Sequence, residues 1–167
     1  DLAERMVRHC REEARSSIRD LRSVTLEQRG LCGALQEFLE PIATECGARF
    51  TFEVEGEPQP LPGPGDIHLL RIANEAVVNA ARHASPNEIR VWLSYERNMV
   101  MLEVRDDGCG FNSSAPPPRG HFGLTGIAER ANKLNAAYTV ESAPGSGTTV
   151  RVMVPVTPAF RPEQTVT

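Results

Sequence analysis

Apolar residues at 69, 72, 73, 76, 77, 80, 81 and 84 repeat with the period of an α-helix. Residues 66–84 are therefore predicted to form a helix with one side buried against a sheet, ended by Ser85-Pro86-Asn87. Upstream, Ala3, Val7, Cys10, Ala14, Ser17, Leu21 and Val24 step alternately by four and three, a heptad seam over residues 2–24. Small residues at such a seam favour a helical bundle. Thr25–Gly30 breaks the pattern. Leu31, Leu35, Phe38, Leu39, Ile42 and Cys46 mark a second helix that stops at Gly47, with Pro41 expected to kink or restart it.

Elsewhere the period is two. Residues 49–54 alternate as a strand, and a Pro/Gly-rich loop occupies 55–65. Ile89, Val91, Leu93 and Tyr95, then Val100, Leu102 and Val104, predict a hairpin turning at Arg97-Asn98. Residues 106–123 form a long Gly/Pro/Ser segment, more often functional than accidental in a compact domain. Leu124, Ile127, Ala128, Ala131 and Leu134 mark another helix, and 138–142 with 148–154 a second hairpin. The predicted class is α+β: a two-layer α/β sandwich whose mixed, mostly antiparallel sheet carries helices on one face and is preceded by a bundle helix. The boundaries expected are 1–27 for the bundle helix, 31–155 for the domain and 156–167 for a frayed tail.

Composition narrows the function. In 167 residues, 40% apolar, there is material for one core, and a net charge of −4 gives no basis for nucleic-acid binding or for adhesion to an anionic membrane. Cys10, Cys32, Cys46 and Cys109 stand far apart, which favours reduced thiols over a disulfide or zinc site. No apolar run has membrane-spanning length. The chain opens at Asp1 inside a helical pattern and is expected to be part of a longer protein.

The candidate chemistry sits on the central helix and after two strands. Glu75 and Asn79 are one turn apart, and Arg82 three residues on is expected to join them. The Asn79 carboxamide oxygen can ligate magnesium without adding charge beside phosphates. Glu75 can hold a metal-bound water or take a proton from a nucleophile, and Arg82 can neutralise a phosphate. Asp106 stands at a strand end, where its carboxylate can accept a hydrogen bond from an exocyclic amine such as adenine N6. Gly108 and Gly110 let backbone pass close under a planar base. Gly120, Gly123 and Gly126 fit a flap whose amides, at a helix start, can meet phosphates. There is no Walker Gly-Lys-Ser/Thr, no EF-hand glutamate after Asp106, and no metal spacing among His9, His68, His83 and His121.

In this order the motifs resemble the ATP-binding domain of the gyrase, Hsp90, histidine kinase and MutL superfamily. They are most similar to sensor histidine kinases of the nitrate/nitrite-sensor-like subfamily. The matching boxes are Asn74-Glu75-Ala76-Val77-Val78-Asn79-Ala80-Ala81-Arg82-His83-Ala84, Asp106-Asp107-Gly108-Cys109-Gly110-Phe111, residues 123–130 from Gly123-Leu124-Thr125-Gly126 onward, and Gly145-Ser146-Gly147-Thr148-Thr149-Val150. The resemblance covers about residues 31–155. It implies a Bergerat-type fold, ATP and magnesium as cofactors, and Asn79 as the metal ligand. It places Asp106 on the adenine amine with Gly108, Gly110 and Thr148 around the base. Gly123, Leu124 and Gly126 then belong to the ATP lid, while Arg82 and His83 lie on the phosphate side. It further implies a dimerisation and phosphotransfer domain of the same protein, whose second helix residues 14–21 resemble, and a response-regulator receiver as partners. A homodimeric parent is implied too, with this segment cytoplasmic, outside the membrane, and the parent compatible with an inner-membrane anchor.

The subfamily's phosphoacceptor histidine is followed by an acidic residue. Here the residues after the four histidines are Cys10, Leu69, Ala84 and Phe122, so the chain is expected to lack that site. An ATP-hydrolysing clamp with Glu75 as base, an anti-sigma-factor serine kinase and a non-catalytic dimerisation module are the rival readings.

Overall fold

The computed structural model describes the backbone of residues 2–112 and 123–156, and the side chains of 24–112 and 124–156. Its element order is α1 (Leu2–Glu45), β1 (Arg49–Glu55), α2 (Gly65–Asn79), a π turn (Ala80–Ala84), β2 (Glu88–Glu96), β3 (Met99–Asp106), α3 (Gly123–Lys133), β4 (Ala137–Ser142) and β5 (Thr148–Pro155).

The sheet runs β1-β2-β3-β5-β4, parallel between β1 and β2 and antiparallel elsewhere. Hairpins make the β2–β3 and β4–β5 pairs, with Glu96 facing Met99 across the expected Arg97-Asn98 turn, while β3 and β5 pair across the segment that carries α3 and β4. A parallel pair cannot be closed by a hairpin and needs a crossover, which is α2. That connection lays α2 on one face, where α1 and α3 flank it.

The period-two rows then do what they predict. Ile89, Val91, Leu93, Val100, Leu102, Val104, Val150, Val152 and Val154 are buried under the helices, together with Leu69, Leu70, Ile72, Ala73 and Val77 of α2. The opposite face carries Arg90, Glu103, Arg105 and Arg151, with Arg151 donating to Glu103 at 2.6 and 2.9 Å.

The first helix places the expected break more narrowly. It runs from Leu2 to Glu45 as two helices that meet across a kink at Gly30, the one position of non-helical geometry (φ 65°, ψ −176°). Residues 25–29 hold no glycine or proline, and Leu26 packs against the core, so helix is the cheaper state there. Gly30 occupies backbone space open essentially to glycine alone. Pro41 is tolerated within the helix. Beyond the kink, Leu31, Ala34, Leu35, Leu39 and Ala43 enter the core. Gly47 (φ 84°) ends α1 as expected, with the Ala48 amide bonded back to the Ala43 carbonyl at 3.0 Å.

At the other end Val156, placed by sequence in a frayed tail, is buried and its amide donates to the Asn98 carbonyl at 2.8 Å. The heptad side chains before Val24, the flap residues Gly120, His121 and Phe122, and the tail from 157 lie outside the described residues.

Candidate functional site

The buried row of β3 ends in a carboxylate. Val100, Leu102 and Val104 point under the helices, and the same alternation carries Asp106 to that face, where it is 6% exposed. Burial pushes the Asp106 carboxyl above the ordinary carboxylate range. The Gly108 amide, donating to Oδ1 at 2.9 Å, and the Thr148 amide and hydroxyl pull the other way, while neighbouring Asp107 raises it further. Thr148 stands directly opposite Asp106 in the register.

The loop after Asp106 is sewn to the end of the central helix. Cys109 donates its amide to the Ala84 carbonyl at 2.8 Å and its thiol to the His83 carbonyl at 3.3 Å. Asp107 turns away from the site. Its Oδ1 accepts the Asn87 and Glu88 amides at 2.8 and 2.9 Å, bonds that hold its carboxyl below the usual range. Gly108 and Gly110 are also required by the packing of the loop itself. A β-carbon at Gly108 would collide with the Ala84 carbonyl, and one at Gly110 (φ 58°) with that of Ala143. These glycines let the loop lie against neighbouring backbone.

On α2, Glu75 and Asn79 are half-buried and four residues apart, facing one way as the α period requires. Arg82 does not simply continue that stripe. The helix widens to a π turn over Ala80–Ala84 before Ser85 closes it in the left-handed region (φ 47°), so the α phase is lost and Arg82 and His83 end exposed. Single π turns recur at functional sites, and nothing in the local residue pattern announces one. Gly123, Leu124 and Gly126 form the first turn of α3, where amides lack helical partners. Leu124 also packs against the core, and the Gly126 carbonyl accepts Arg130 Nη1 at 2.6 Å.

Sequence reasoning missed Ser142. The register Asp106↔Thr148↔Ser142 puts its hydroxyl third in the row, within 2.9 Å of the Phe111 amide, 2.9 Å of the Gly147 carbonyl and 3.1 Å of Thr148 Oγ1. The signal was the alternation Tyr138, Val140, Ser142, which sets all three on one face.

Among the described residues no three His, Cys, Asp or Glu side chains converge to hold a metal, and Cys32, Cys46 and Cys109 are free thiols. No helix there is long and apolar enough to cross a membrane.

Comparison with known proteins identifies the family and the fold. The chain is 29% identical over 153 residues to the signal transduction histidine-protein kinase/phosphatase DegS of Brevibacillus brevis, covering 92% of this chain and 39% of that protein. It is 33% identical over 130 residues to the nitrate/nitrite sensor NarQ of Escherichia coli, covering 77% and 23%. The chain thus spans well under half the length of these curated relatives. Among solved structures, the histidine kinase domain of the Erythrobacter litoralis blue-light-activated kinase superposes with TM-score 0.60 at 22% identity, over 75% of this chain and 61% of that one. The kinase ShkA superposes with TM-score 0.65 at 21% identity, over 79% and 30%, which shows the shared fold. Residues 65–158 match the family described as histidine kinase-, DNA gyrase B- and HSP90-like ATPase, and the chain belongs to that family.

Proposed function

We propose that this chain is the ATP-binding catalytic part of a two-component sensor histidine kinase, passing the γ-phosphoryl group of ATP to a histidine on another segment. The observation that carries the reading is the buried Asp106 acceptor in register with Thr148, walled by a loop whose glycines permit its close packing. A 6-amino purine supplies the N–H donor such an acceptor wants. The named relatives are a histidine-protein kinase/phosphatase and a nitrate/nitrite sensor protein, and ShkA was solved in complex with AMPPNP.

The metal fits the donor set. Asn79 offers a neutral oxygen ligand, and Glu75, one turn before it, can order a coordinated water. Two oxygen donors do not complete a shell alone, so an ion there depends on phosphate oxygens. Magnesium, when bound, supplies charge neutralisation for the triphosphate.

What the chain's own residues do is position. Asp106 and Thr148 fix the base; Asn79 and Arg82 fix the phosphates; the first-turn amides of α3, at Gly123 to Gly126, supply further donors. A neutral imidazole is already nucleophilic, so phosphoryl transfer to it needs little general-base help, and Glu75 is assigned to orientation. The acceptor histidine, on the dimerisation and phosphotransfer domain of a homodimeric parent, and a receiver domain downstream complete the proposal.

The test is phosphotransfer from radiolabelled ATP to a separately supplied bundle fragment carrying a His-Asp or His-Glu acceptor. Label on the acceptor histidine, lost in the Asn79→Ala variant, is expected. ATP binding with phosphate release but no acceptor labelling would favour the hydrolytic clamp, with Glu75 as base.

A further inference from the structure

One carboxylate beside the site takes no part in the phosphoryl-transfer reading, yet it holds two segments of the site together. After the π turn the chain reverses through Ser85 (φ 47°) and Pro86. Proline has no N–H, so Asn87 and Glu88 carry the first amides beyond it. Both donate to a single atom, Oδ1 of Asp107, at 2.8 and 2.9 Å. The Asp107 amide bonds in turn to the Glu88 carbonyl at 3.4 Å, one step past the Ile89–Asp106 pair that ends the β2–β3 ladder.

The next residues of the same loop reach the turn itself. Cys109 gives its amide to the Ala84 carbonyl at 2.8 Å and its thiol to the His83 carbonyl at 3.3 Å. Between Asp107 and Cys109, Gly108 lies so close to Ala84 that a β-carbon would not fit. Residues 107–109 thus clamp residues 83–88. The clamp joins two places that one nucleotide has to reach at once. Asp106, the buried acceptor, is the residue before it; Arg82 and His83 stand exposed at the turn it grips.

We infer that Asp107 is a positioning residue that sets the spacing between the base acceptor Asp106 and the phosphate-side turn at Arg82 and His83. The inference rests on reading those two places as the halves of one ATP site. Bonds to a carboxylate oxygen are charge-assisted, and here both fall on the strand start that follows the turn. Without them the Cys109 bonds alone tie the loop to the turn. A ligand that spans both halves benefits when their separation is fixed, because its second contact then forms at high effective concentration. A ligand that fills the base half alone does not. The clamp therefore matters more to ATP than to adenosine.

The test uses the full chain, its Asp107→Ala variant and its Asp107→Asn variant, which keeps an acceptor oxygen and removes the charge. Asp107 is exposed, so truncation leaves the core packed. Three quantities are read: ATP affinity with magnesium by calorimetry, adenosine affinity by NMR titration, and amide hydrogen exchange without nucleotide. Asp107→Ala is expected to weaken ATP about 10-fold and adenosine less than about 3-fold. Exchange should quicken at the Cys109 amide as well as at Asn87 and Glu88. Asp107→Asn is expected to restore all three, which separates the lost bonds from the lost charge. Equal losses of ATP and adenosine, an unchanged ATP affinity, or a Cys109 amide as protected in Asp107→Ala as in the parent overturns the inference and leaves Asp107 as a cap on β2. If the unaltered chain binds no ATP, the functional reading fails, while exchange at Cys109 still decides whether the clamp depends on Asp107.

Discussion

Replacing Asp106 by asparagine keeps the side chain's shape and removes its charge, so it separates the two tasks this residue performs. Oδ1 accepts the Gly108 amide at 2.9 Å, and the carboxamide oxygen can keep that bond. Its NH2 group then occupies the place of Oδ2 and presents donors where a purine amine also presents donors. The lost contact is a hydrogen bond to a charged group, worth about 1.5–3 kcal/mol, or roughly 10- to 150-fold in the dissociation constant of ATP. Guanine carries an acceptor at that position, so GTP should lose less and can gain.

The proton-linked part of stability should move the other way. Burial raises the Asp106 pKa in the folded state above its unfolded value, so the proton-linked contribution favours folding at low pH and is lost as pH rises through the folded value. Above that folded value the ionised carboxylate burdens the fold, and Asp106→Asn is relieved of that cost there while its NH2 group no longer accepts from Thr148. That advantage should shrink on acidification, as Asp106 takes up its proton. The ratio of ATP affinities between parent and variant should narrow over the same acid range, starting above the usual carboxylate values, because the phosphates titrate alike in both. Calorimetry with ATP and GTP from pH 5 to 8, beside thermal melts, measures both. Equal losses of ATP and GTP, or a ratio indifferent to pH, would refute the placement of Asp106 on the base.

Three other perturbations probe separate parts of the molecule. Asn79→Ala should leave the melting temperature within a few degrees and abolish the magnesium-dependent share of ATP affinity; calorimetry with and without the ion checks this. Gly110→Ala puts a β-carbon at φ 58° against the Ala143 carbonyl and should cost about 1–3 kcal/mol, read by urea denaturation. Leu35→Ala, at a wholly buried position on α1, should cost about 2–5 kcal/mol. A much smaller loss there would mean that the end of α1 is not part of the domain's core.

Much of the site was legible because one residue type at one period places a side chain. The period of two that buries Val100, Leu102 and Val104 also dictates that Asp106 is buried, and the period of 3.6 sets Glu75 and Asn79 on one side of α2. The break expected over Thr25–Gly30 falls at Gly30 alone, because residues 25–29 hold no glycine or proline and stay helical.

The sequence by itself determined the strands, their inward faces and the central helix, since these follow from local periodicity. The tertiary structure decided the rest. The π turn that re-aims Arg82 and His83, the Asp107 carboxylate spent on the Asn87 and Glu88 amides, and the third place of Ser142 beside Thr148 all depend on contacts between segments distant in the chain. Local pattern says which way a side chain points; only the register of strands and the packing of the loop against the helix say what it meets.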